Sequence, residues 1–536
     1  MIIKKNNYTN LFIGLIFLFF FLTGLIIYDD YGIGWDEYYQ RINGFVALNF
    51  VREIFSLEEI YSHLKHSTIN FAETAKIYGV IFDLPAAYFE TLFEIKDSKD
   101  FFLFRHLANF IVFYISCIFL YLLLLKRFSK ILSLIGLFFF LLSPRIFAES
   151  FYNNKDILFL SLFIIAVYFS LTFLDKSSYK NLFLSSLSSS ILIATKVLGI
   201  IVPFIVIVFF ALKLIDDKKN LRKNILKLFT FFFLLFTFTI IFWPYLWNSP
   251  LNNFLNTIKT FSSHPWTGAI FYFGEYISAL NLPWHYPIIW ILISTPILYL
   301  FLFFIGSCLI VKRIFFRFLN LYNNKQSKDL WVGDKERMDV IFFLIFYFTL
   351  FLVINLNSTL YNGWRHLYFI YPSLIYISIR GLEFLKRNYF KKYLLIIITP
   401  FLIFTLVWMV QNHPFQYVYF NNFAGKNPGK SFELDYWGLS NKNNLSYILN
   451  IEKNESINVY VLSNSPYYFS LLLLDKKKRK RIKFVNEINK ADYLVTNHYY
   501  QKGYPFKINN DLKRRYKLVK EFKVDEMIIN SIYKIN

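Results

Sequence analysis

Residues 103–148 read LFRHLANFIVFYISCIFLYLLLLKRFSKILSLIGLFFFLLSPRIFA. Two apolar runs, 103–125 and 131–148, flank a short basic segment, 126–130. A run of about 20 apolar residues has the length of a helix that crosses a bilayer. A short loop rich in Lys and Arg between two such runs is typical of the cytoplasmic side. The stretch therefore predicts a membrane-spanning helical hairpin whose loop lies inside the cell.

Similar apolar runs recur along the chain, in which 56% of the 536 residues are hydrophobic. The first run resembles a signal peptide, but no small-residue cleavage site follows it, so we expect it to form the first helix. The pattern predicts an all-α polytopic membrane bundle of about eleven transmembrane helices. The predicted spans are 11–28, 103–125, 131–148, 157–174, 182–196, 199–214, 228–247, 286–311, 340–356, 367–384 and 393–410.

The loops between these spans alternate in charge. Every second loop is basic, and the positive-inside rule places all of them, and the N-terminus, in the cytoplasm. The split at Thr195-Lys196 preserves this alternation. Because the rule accounts for much of the net charge of +23, we do not expect nucleic acid as a partner. The basic loops are 126–130, 175–180, 216–227, 312–337 and 386–392.

Two long segments then lie outside. Residues 29–102 mix polar residues with short apolar groups, which indicates interfacial helices. The tail from 411 carries strand-like runs such as 457–462 and predicts a small extracytoplasmic α/β domain. We therefore divide the chain into a transmembrane domain, 1–410, and a C-terminal domain, 411–536. The bias towards Phe, Ile, Lys, Asn and Tyr resembles that of an AT-rich bacterial genome. A bacterial origin together with the apolar spans predicts a multi-pass protein of the bacterial inner membrane.

Asp36 and Glu37 follow the first span closely, in the sequence GIGWDE. A carboxylate at a membrane interface can be partly desolvated, which raises its pKa and its basicity. The pair is thus a candidate general base or cation site, although ordinary loop acids look the same. The carboxylates suffice for a divalent cation, but no metal-ligand spacing indicates one.

Cations on the predicted outer side run against the topological trend. Arg145 and Lys155 lie in the loop SPRIFAESFYNNKD, 143–156, and holding a phosphate is one reason for cations there. Local pairing, as of Lys155 with Asp156, is the alternative. Lys196, at a tight outer turn, is suited either to a donor phosphate or to snorkelling towards lipid headgroups.

Arg365 and His366 open a late span from the outer side, in the sequence YNGWRHLYFIYP, 361–372. Arg105-His106 opens the second span in the same way. Both pairs resemble interfacial anchors. An Arg-His pair beside Trp and Tyr also suits a phosphate next to a sugar ring.

Together these segments resemble the GT-C membrane glycosyltransferases, in particular the group of protein O-mannosyltransferases and aminoarabinose transferases (glycosyltransferase family 39 type). The resemblance covers about residues 10–420 and includes HPFQYVYFN, 413–421, and DYWG, 435–438. It implies a sugar donor on polyprenyl phosphate and a lipid, glycan or protein acceptor at the outer face. It also implies that Asp36 matches the family's catalytic acidic residue, acting as a general base, and that Glu37 helps orient the base or the acceptor.

The residues fit such a reaction. Asp36 would take the proton of an attacking hydroxyl, and cations from Arg145, Lys155 or Arg365 would stabilise the departing lipid phosphate. We expect the base to stand apart from these cations across a cavity. No cofactor is expected.

Three other functions stay open. A transporter or flippase of lipid-linked sugars would explain the many helices, but it predicts mid-span charges and broken helices in corresponding halves. A surface-polysaccharide polymerase or ligase would use lipid-diphosphate donors. A non-catalytic membrane scaffold would make the clustered outer loops a coincidence.

Overall fold

The computed structural model describes residues 2–57, 78–216, 218–262, 266–322, 330–389, 393–501 and 508–536. Within them the chain is a helical bundle with a small mixed sheet near its C-terminus. The helices as far as the sheet are α1 Ile2–Ile27, α2 Trp35–Ile54, α3 Asp83–Leu92, α4 Ser98–Leu125, α5 Lys130–Leu141, α6 Pro144–Tyr152, α7 Asp156–Asp175, α8 Tyr179–Thr195, α9 Ile201–Asp216, α10 Leu221–Phe242, α11 Pro250–Ser262, α12 Tyr286–Ser294, α13 Ile297–Tyr322, α14 Gly333–Asn355, α15 Tyr371–Asn388 and α16 Leu394–Gln411.

The predicted bundle of membrane-spanning helices is confirmed. In the described residues, eight helices are long and apolar enough to cross a membrane, and a ninth span results if the bent pair α5–α6 counts as one. Helices α8 and α15 coincide with two further predicted spans but do not meet those criteria of length and composition. Helix α8 is 17 residues long, and α15, at 18 residues, contains the charged residues Arg380, Glu383, Lys386 and Arg387.

Two predicted spans are not single helices. The run 131–148 bends by 65° between α5 and α6, because Pro144 has no N–H to continue the helical hydrogen bonds and instead opens a new helix at its first position. The run 286–311 is interrupted before Ile297, next to Pro296, and divides into α12 and α13. By contrast, the predicted split near Thr195-Lys196 is confirmed, since α8 ends at Thr195 and Lys196 is extended.

Contacts between loops agree with the predicted alternation. Arg127, Arg313 and Asp339 come from three segments near predicted inner loops, and Asp339 accepts hydrogen bonds from both arginines, at 3.0 and 2.7 Å. Asp175 joins the same end through Lys126 at 2.9 Å and Arg337 at 2.6 Å. The basic loops that these residues flank therefore share one end of the bundle.

The first outer segment contributes α2 and α3, which pack on each other through Phe45, Leu48 and Ala87. Residues 58–77 of that segment, and His264 in a later one, lie outside the described residues. Further along, a two-stranded hairpin is formed by β1 Ala269–Tyr272 and β2 Glu275–Ser278.

The elements of the C-terminal domain are α17 Ser440–Ile451, β3 Ile457–Val461, α18 Tyr467–Ser470, α19 Lys476–Arg479, β4 Ile482–Phe484, β5 Tyr493–Thr496, α20 Asn510–Arg515, β6 Tyr516–Val524 and β7 Met527–Ile535. The sheet has the strand order β4-β3-β5-β7-β6. Strand β3 runs parallel to β4 and β5, whereas β7 pairs antiparallel with β5 and β6. The predicted small α/β domain is thus confirmed.

The segment before this sheet belongs to the hydrophobic core of the bundle. Tyr417, Val418, Tyr436 and Trp437 are buried in the same cluster as the transmembrane helices. The chain therefore has continuous packing across residue 411, and the division at that point stays a prediction.

Candidate active site

The start of α2 is held by Glu37, not by Asp36. Glu37 Oε1 accepts the N–H of Gly34 at 2.7 Å, and its Oε2 lies 2.8 Å from His106 Nε2 on α4. These contacts satisfy one of the free N–H groups at the helix N-terminus. They also direct the Glu37 side chain away from Asp36, whose carboxylate is left to face the neighbouring cations.

Asp156 at the start of α7 links two buried cations. Its Oδ1 lies 2.5 Å from Lys196 Nζ, and its Oδ2 accepts from Arg365 Nη1 at 3.0 Å. The backbone N–H of Asp156 donates to Asn153 Oδ1 at 2.9 Å, which fixes the turn into the helix. The local pair of Lys155 with Asp156, considered from the sequence, does not form.

Lys196 is positioned by a close contact between two chain segments. Its extended backbone forms a bridge with Tyr78, and Gly79 N donates to Thr195 O at 3.3 Å. A Cβ at Gly79 would come within 1.4 Å of Ala194 O, so only glycine permits this approach. The first outer segment and the α8–α9 turn are thereby joined at the site.

Arg365 bridges the two carboxylates of the site. Its Nη1 lies 3.1 Å from Asp36 Oδ2, in addition to the contact with Asp156. Its guanidinium also lies over the rings of Trp437, at 4.6 Å, and Tyr361, at 4.9 Å. Gly363, with φ of +73°, makes the turn that leads into the 3₁₀ helix Arg365–Ile370. Arg365 therefore forms ion pairs with two carboxylates and packs against two aromatic rings.

We call Asp36, Lys155, Asp156, Lys196 and Arg365 the ion cluster. The side chains of Asp36 and Lys155 are 30% and 21% exposed, and their atoms Oδ2 and Nζ are 3.9 Å apart. The other three are at most 4% exposed. Three cations and two carboxylates give the cluster a net charge of +1, with Asp36 and Lys155 at its open side.

The expected rise in the pKa of Asp36 is not found. Burial would raise the pKa of this carboxyl, but the charges of Lys155 and Arg365 outweigh burial and hold the pKa below its ordinary value. The expectation that the base stands apart from the cations across a cavity is also wrong, because Asp36 contacts Arg365 directly. Burial and the charge of Arg365 lower the pKa of His366, which favours the neutral imidazole.

An apolar groove begins at the ion cluster. Lys196, Tyr78 and His366 line its polar end, and its walls come from the outer ends of the membrane-capable helices Val197–Leu214 and Gly333–Asn355. The wall residues include Ile200, Ile201, Leu352, Val353 and Leu356. A groove between two such helices suits a long hydrocarbon chain with a charged head at the cluster.

Several buried polar atoms next to the cluster have no hydrogen-bond partner among the described residues. They include Arg365 Nε, His366 Nε2 and Trp437 Nε1. Buried polar groups are normally hydrogen-bonded, so such a group calls for an explanation. A polar ligand at this position would supply the missing partners.

The other predicted residues lie elsewhere. Arg145 Nε donates to Tyr419 O at 3.0 Å, and its guanidinium lies over Phe420 at 4.7 Å. It is not among the contacts of the ion cluster. Arg105 binds Glu90 at 2.5 Å and Asp83 at 3.1 Å, so the Arg105-His106 pair supports the fold beneath α2.

Sequence reasoning missed Asp156, Tyr78 and Trp437 as members of the site. Trp437 belongs to the quoted DYWG segment, which was a usable signal. Tyr78 lay in a segment read only as interfacial. Among the described residues, no group of three or more His, Cys, Asp or Glu side chains is arranged to hold a metal ion.

Residues 88–243 match the family model described as "Dolichyl-phosphate-mannose-protein mannosyltransferase". The match includes α4–α10 and hence Lys155, Asp156 and Lys196, but neither Asp36 nor Arg365. The resemblance to this glycosyltransferase group that the motifs indicate is confirmed over these residues. No curated protein matches the chain.

Two solved structures are similar to the chain along nearly its whole length. ArnT from Cupriavidus metallidurans in the apo state is 11% identical, with a TM-score of 0.47 and 99% of this chain and 98% of that chain covered. The same protein bound to undecaprenyl phosphate is 10% identical, with a TM-score of 0.45 and 97% of each chain covered.

Proposed function

We propose that this chain is a membrane glycosyltransferase that moves a sugar from a polyprenyl-phosphate carrier to an acceptor. The observation that carries the proposal is that Lys196 lines the polar end of an apolar groove between membrane-capable helices and belongs to one ion cluster with Lys155, Arg365 and Asp36. A polyprenyl chain fits the groove, and its phosphate fits the cations. The matching family model names a donor of the same class, a sugar on a polyisoprenyl phosphate.

The charge of the ion cluster suits this donor. A sugar joined to a lipid by one phosphate is a phosphodiester with a single negative charge, which neutralises the cluster's +1. The phosphate competes with Asp36 for Arg365 and Lys155. Because those two cations lower the pKa of Asp36, drawing them towards the phosphate raises the basicity of Asp36 once the donor is bound.

In the transfer step an acceptor hydroxyl attacks the anomeric carbon. The bond between that carbon and the phosphate oxygen breaks, its electron pair stays on the phosphate, and the hydroxyl proton goes to Asp36. The phosphate thereby changes from one negative charge towards two. Protonation of Asp36 removes one negative charge from the ion cluster, whose net charge changes from +1 to +2. Attraction between cluster and phosphate is therefore stronger after the step, which is the condition for catalysis by electrostatic stabilisation.

The remaining assignments follow from the sequence predictions. Lys196 and His366 contact the phosphate or the first isoprenoid unit, and Glu37 positions Asp36 by fixing the start of α2. The protein lies in the bacterial inner membrane with its N-terminus in the cytoplasm. The ion cluster and the C-terminal domain are then on the outer side, where a lipid, glycan or protein acceptor is available.

Asp36→Asn tests the proposal. The amide keeps the size of the side chain but cannot accept the proton, and positioned general bases contribute about 10²–10⁴-fold to a rate. We expect glycan transfer to fall by at least about a hundredfold, with normal membrane insertion, as measured by mass spectrometry of envelope glycolipids from cells that express each variant. Asp30→Asn is the matched control, because Asp30 lies six residues earlier and pairs with His413 outside the cluster.

Transfer near the wild-type rate in Asp36→Asn would remove Asp36 as the base. Normal transfer by both variants, together with movement of lipid-linked sugar across the membrane that depends on the protein, would favour the flippase hypothesis.

A further inference from the structure

Six consecutive basic residues, 476–481, form the edge of the C-terminal domain. Lys476, Lys477 and Lys478 on the short helix α19, together with Lys480, are exposed to solvent. Arg479 and Arg481 are partly buried and serve the fold, since Arg481 donates to the carbonyl oxygens of Asn454 and Glu452. Lys478 also lies 3.9 Å from Asp475 Oδ2, a contact between two solvent-exposed side chains. The four lysines thus present a concentrated positive charge to solvent.

The position of this basic segment is fixed by the start of α4. Asp475 lies 2.9 Å from Lys99 Nζ, Arg479 Nη2 lies 3.2 Å from Asp97 Oδ2, and Ser98 Oγ donates to Leu472 O at 2.8 Å. Helix α4 is a membrane-capable helix that begins at Ser98. The basic segment is therefore bound to the end of a membrane-capable helix, a few residues before the predicted span 103–125.

Exposed aromatic residues accompany the segment. Tyr468 and Tyr39 are more than half exposed, and Phe469 stacks on Tyr38 with ring centroids 4.7 Å apart. Tyrosine is enriched at membrane–water interfaces because its ring is apolar and its hydroxyl is polar. The exposed tyrosines and the lysines are therefore both suited to the headgroup layer of a bilayer.

A cleft opens next to the basic segment. Its lining includes Lys99, Lys442 and Lys478, with Asp29 and Asp475 as the acidic members. Asp29 follows the end of α1, another membrane-capable helix, so the cleft lies above the outer ends of two such helices. Its ionisable lining carries a net charge of +1.

We infer that the segment 476–481 and this cleft bind the phosphate-bearing headgroups of anionic membrane lipids. Clusters of four or more Lys and Arg immediately cytoplasmic of a membrane-spanning helix attract anionic lipids, at about 1 kcal/mol for each residue near the surface. We apply the same charge attraction to anionic headgroups at the predicted outer face, where this segment lies. The inference does not depend on glycosyl transfer. Leu473, next to the segment, packs against Ile33 and Phe102, so bound lipids would also hold the chain just before α2 in place.

The test uses the purified full-length protein in detergent and titrates it with phosphatidylglycerol, with lipid binding followed by native mass spectrometry. The cluster variant is Lys476→Gln/Lys477→Gln/Lys478→Gln. The matched control is Lys513→Gln/Arg514→Gln/Lys517→Gln, which removes the same charge from exposed residues at the start of β6. The start of β6 lies far from the membrane-capable helices. Strand β6 is about 26 Å long, and it is the turn at its other end, at Asp525, that contacts Trp408 on α16.

One kcal/mol corresponds to about fivefold in affinity, so the cluster variant is expected to bind phosphatidylglycerol on the order of a hundredfold more weakly. The control variant and the binding of phosphatidylcholine are expected to stay within twofold of the wild type. Wild-type binding of phosphatidylglycerol is also expected to fall as salt rises from about 0.05 to 0.5 M, a measurement that needs no variant.

Three results would overturn the inference. Phosphatidylglycerol bound equally by both triple variants would show that position 476–478 is irrelevant. An equal loss of phosphatidylcholine binding would show a loss of structure instead of a lost charge contact. Displacement by inorganic phosphate at the same concentration as the lipid would identify a site for free anions.

Discussion

The charge pair Asp156–Lys196 offers a quantitative test of the ion cluster. Asp156→Asn preserves the shape of the side chain but leaves the ammonium of Lys196, which is 4% exposed, without its counter-ion at 2.5 Å. Removing one partner of a buried ion pair costs about 3–5 kcal/mol, because the other charge stays buried. Lys196→Met leaves Asp156 its contact with Arg365, so its cost is expected at the lower end, about 3 kcal/mol.

The double variant removes both charges together. It is expected to be less destabilised than the sum of the single variants by about 2–3 kcal/mol, the upper part of the range for residues in contact. The assay is the free energy of unfolding of the full-length protein in detergent, followed by the fluorescence of its ten tryptophans. The exposed pair Glu487–Lys490, at 2.7 Å, supplies a control cycle with an expected coupling below about 1 kcal/mol.

A coupling for Asp156–Lys196 no larger than that of the exposed pair would refute the reasoning. It would mean that water screens the cluster in the folded protein. The cations would then not be held in a low-dielectric site, and their predicted effect on a donor phosphate would be lost.

Two further predictions concern carboxyl groups near the site. Burial raises the pKa of Glu433 to about 8, whereas the ordinary value is about 4.3. Between these two pH values the folded protein binds more protons than the unfolded chain, so the free energy of unfolding should fall as the pH rises. In Glu433→Gln the free energy of unfolding should depend less on pH in this window, and equal slopes against pH for both proteins would contradict the burial. Glu37→Ala removes the acceptor for Gly34 N and the partner of His106, and we expect a loss of about 1–3 kcal/mol in unfolding free energy and slower glycan transfer. Glu37→Gln should retain most of the stability, because its amide oxygen still accepts from Gly34; equal losses would show that the helix start depends on charge.

The bundle was predictable because a bilayer imposes strong rules on sequence. Span length and the sidedness of basic loops suffice to bring 126–130 and 312–337 to one end and Asp36 and Arg365 to the other. The bend at Pro144 was not predictable in this way. Hydropathy registers only that residues are apolar, and it does not separate a lipid-facing helix from one such as α6, whose nine residues are all buried in protein.

The candidate site was predictable only in part. Asp36, Lys155, Lys196 and Arg365 of the ion cluster were predicted from the sequence, whereas Asp156 and the contacts within the cluster were not. Lys155, Lys196 and Arg365 stood out because cations outside oppose the positive-inside trend. Which carboxylate meets which cation depends on side-chain direction at helix ends, and sequence neighbours mislead there. Asp156 and Lys155 are adjacent, yet they turn to different partners, Lys196 and Asp36.

The contrast between Arg145 and Arg365 shows why unusual charge alone does not identify a ligand. Both arginines lie on the predicted outer side, and both guanidiniums stack on aromatic rings. Arg365 contacts two carboxylates, so a bound phosphate finds a cation whose present partners are anions and can be exchanged for another anion. Arg145 donates to the carbonyl oxygen of Tyr419, a contact that holds the chain before the C-terminal sheet against the bundle. The same residue type thus contacts carboxylates in one place and a backbone carbonyl in the other, and under the proposed function only the first kind of contact can be exchanged for a phosphate.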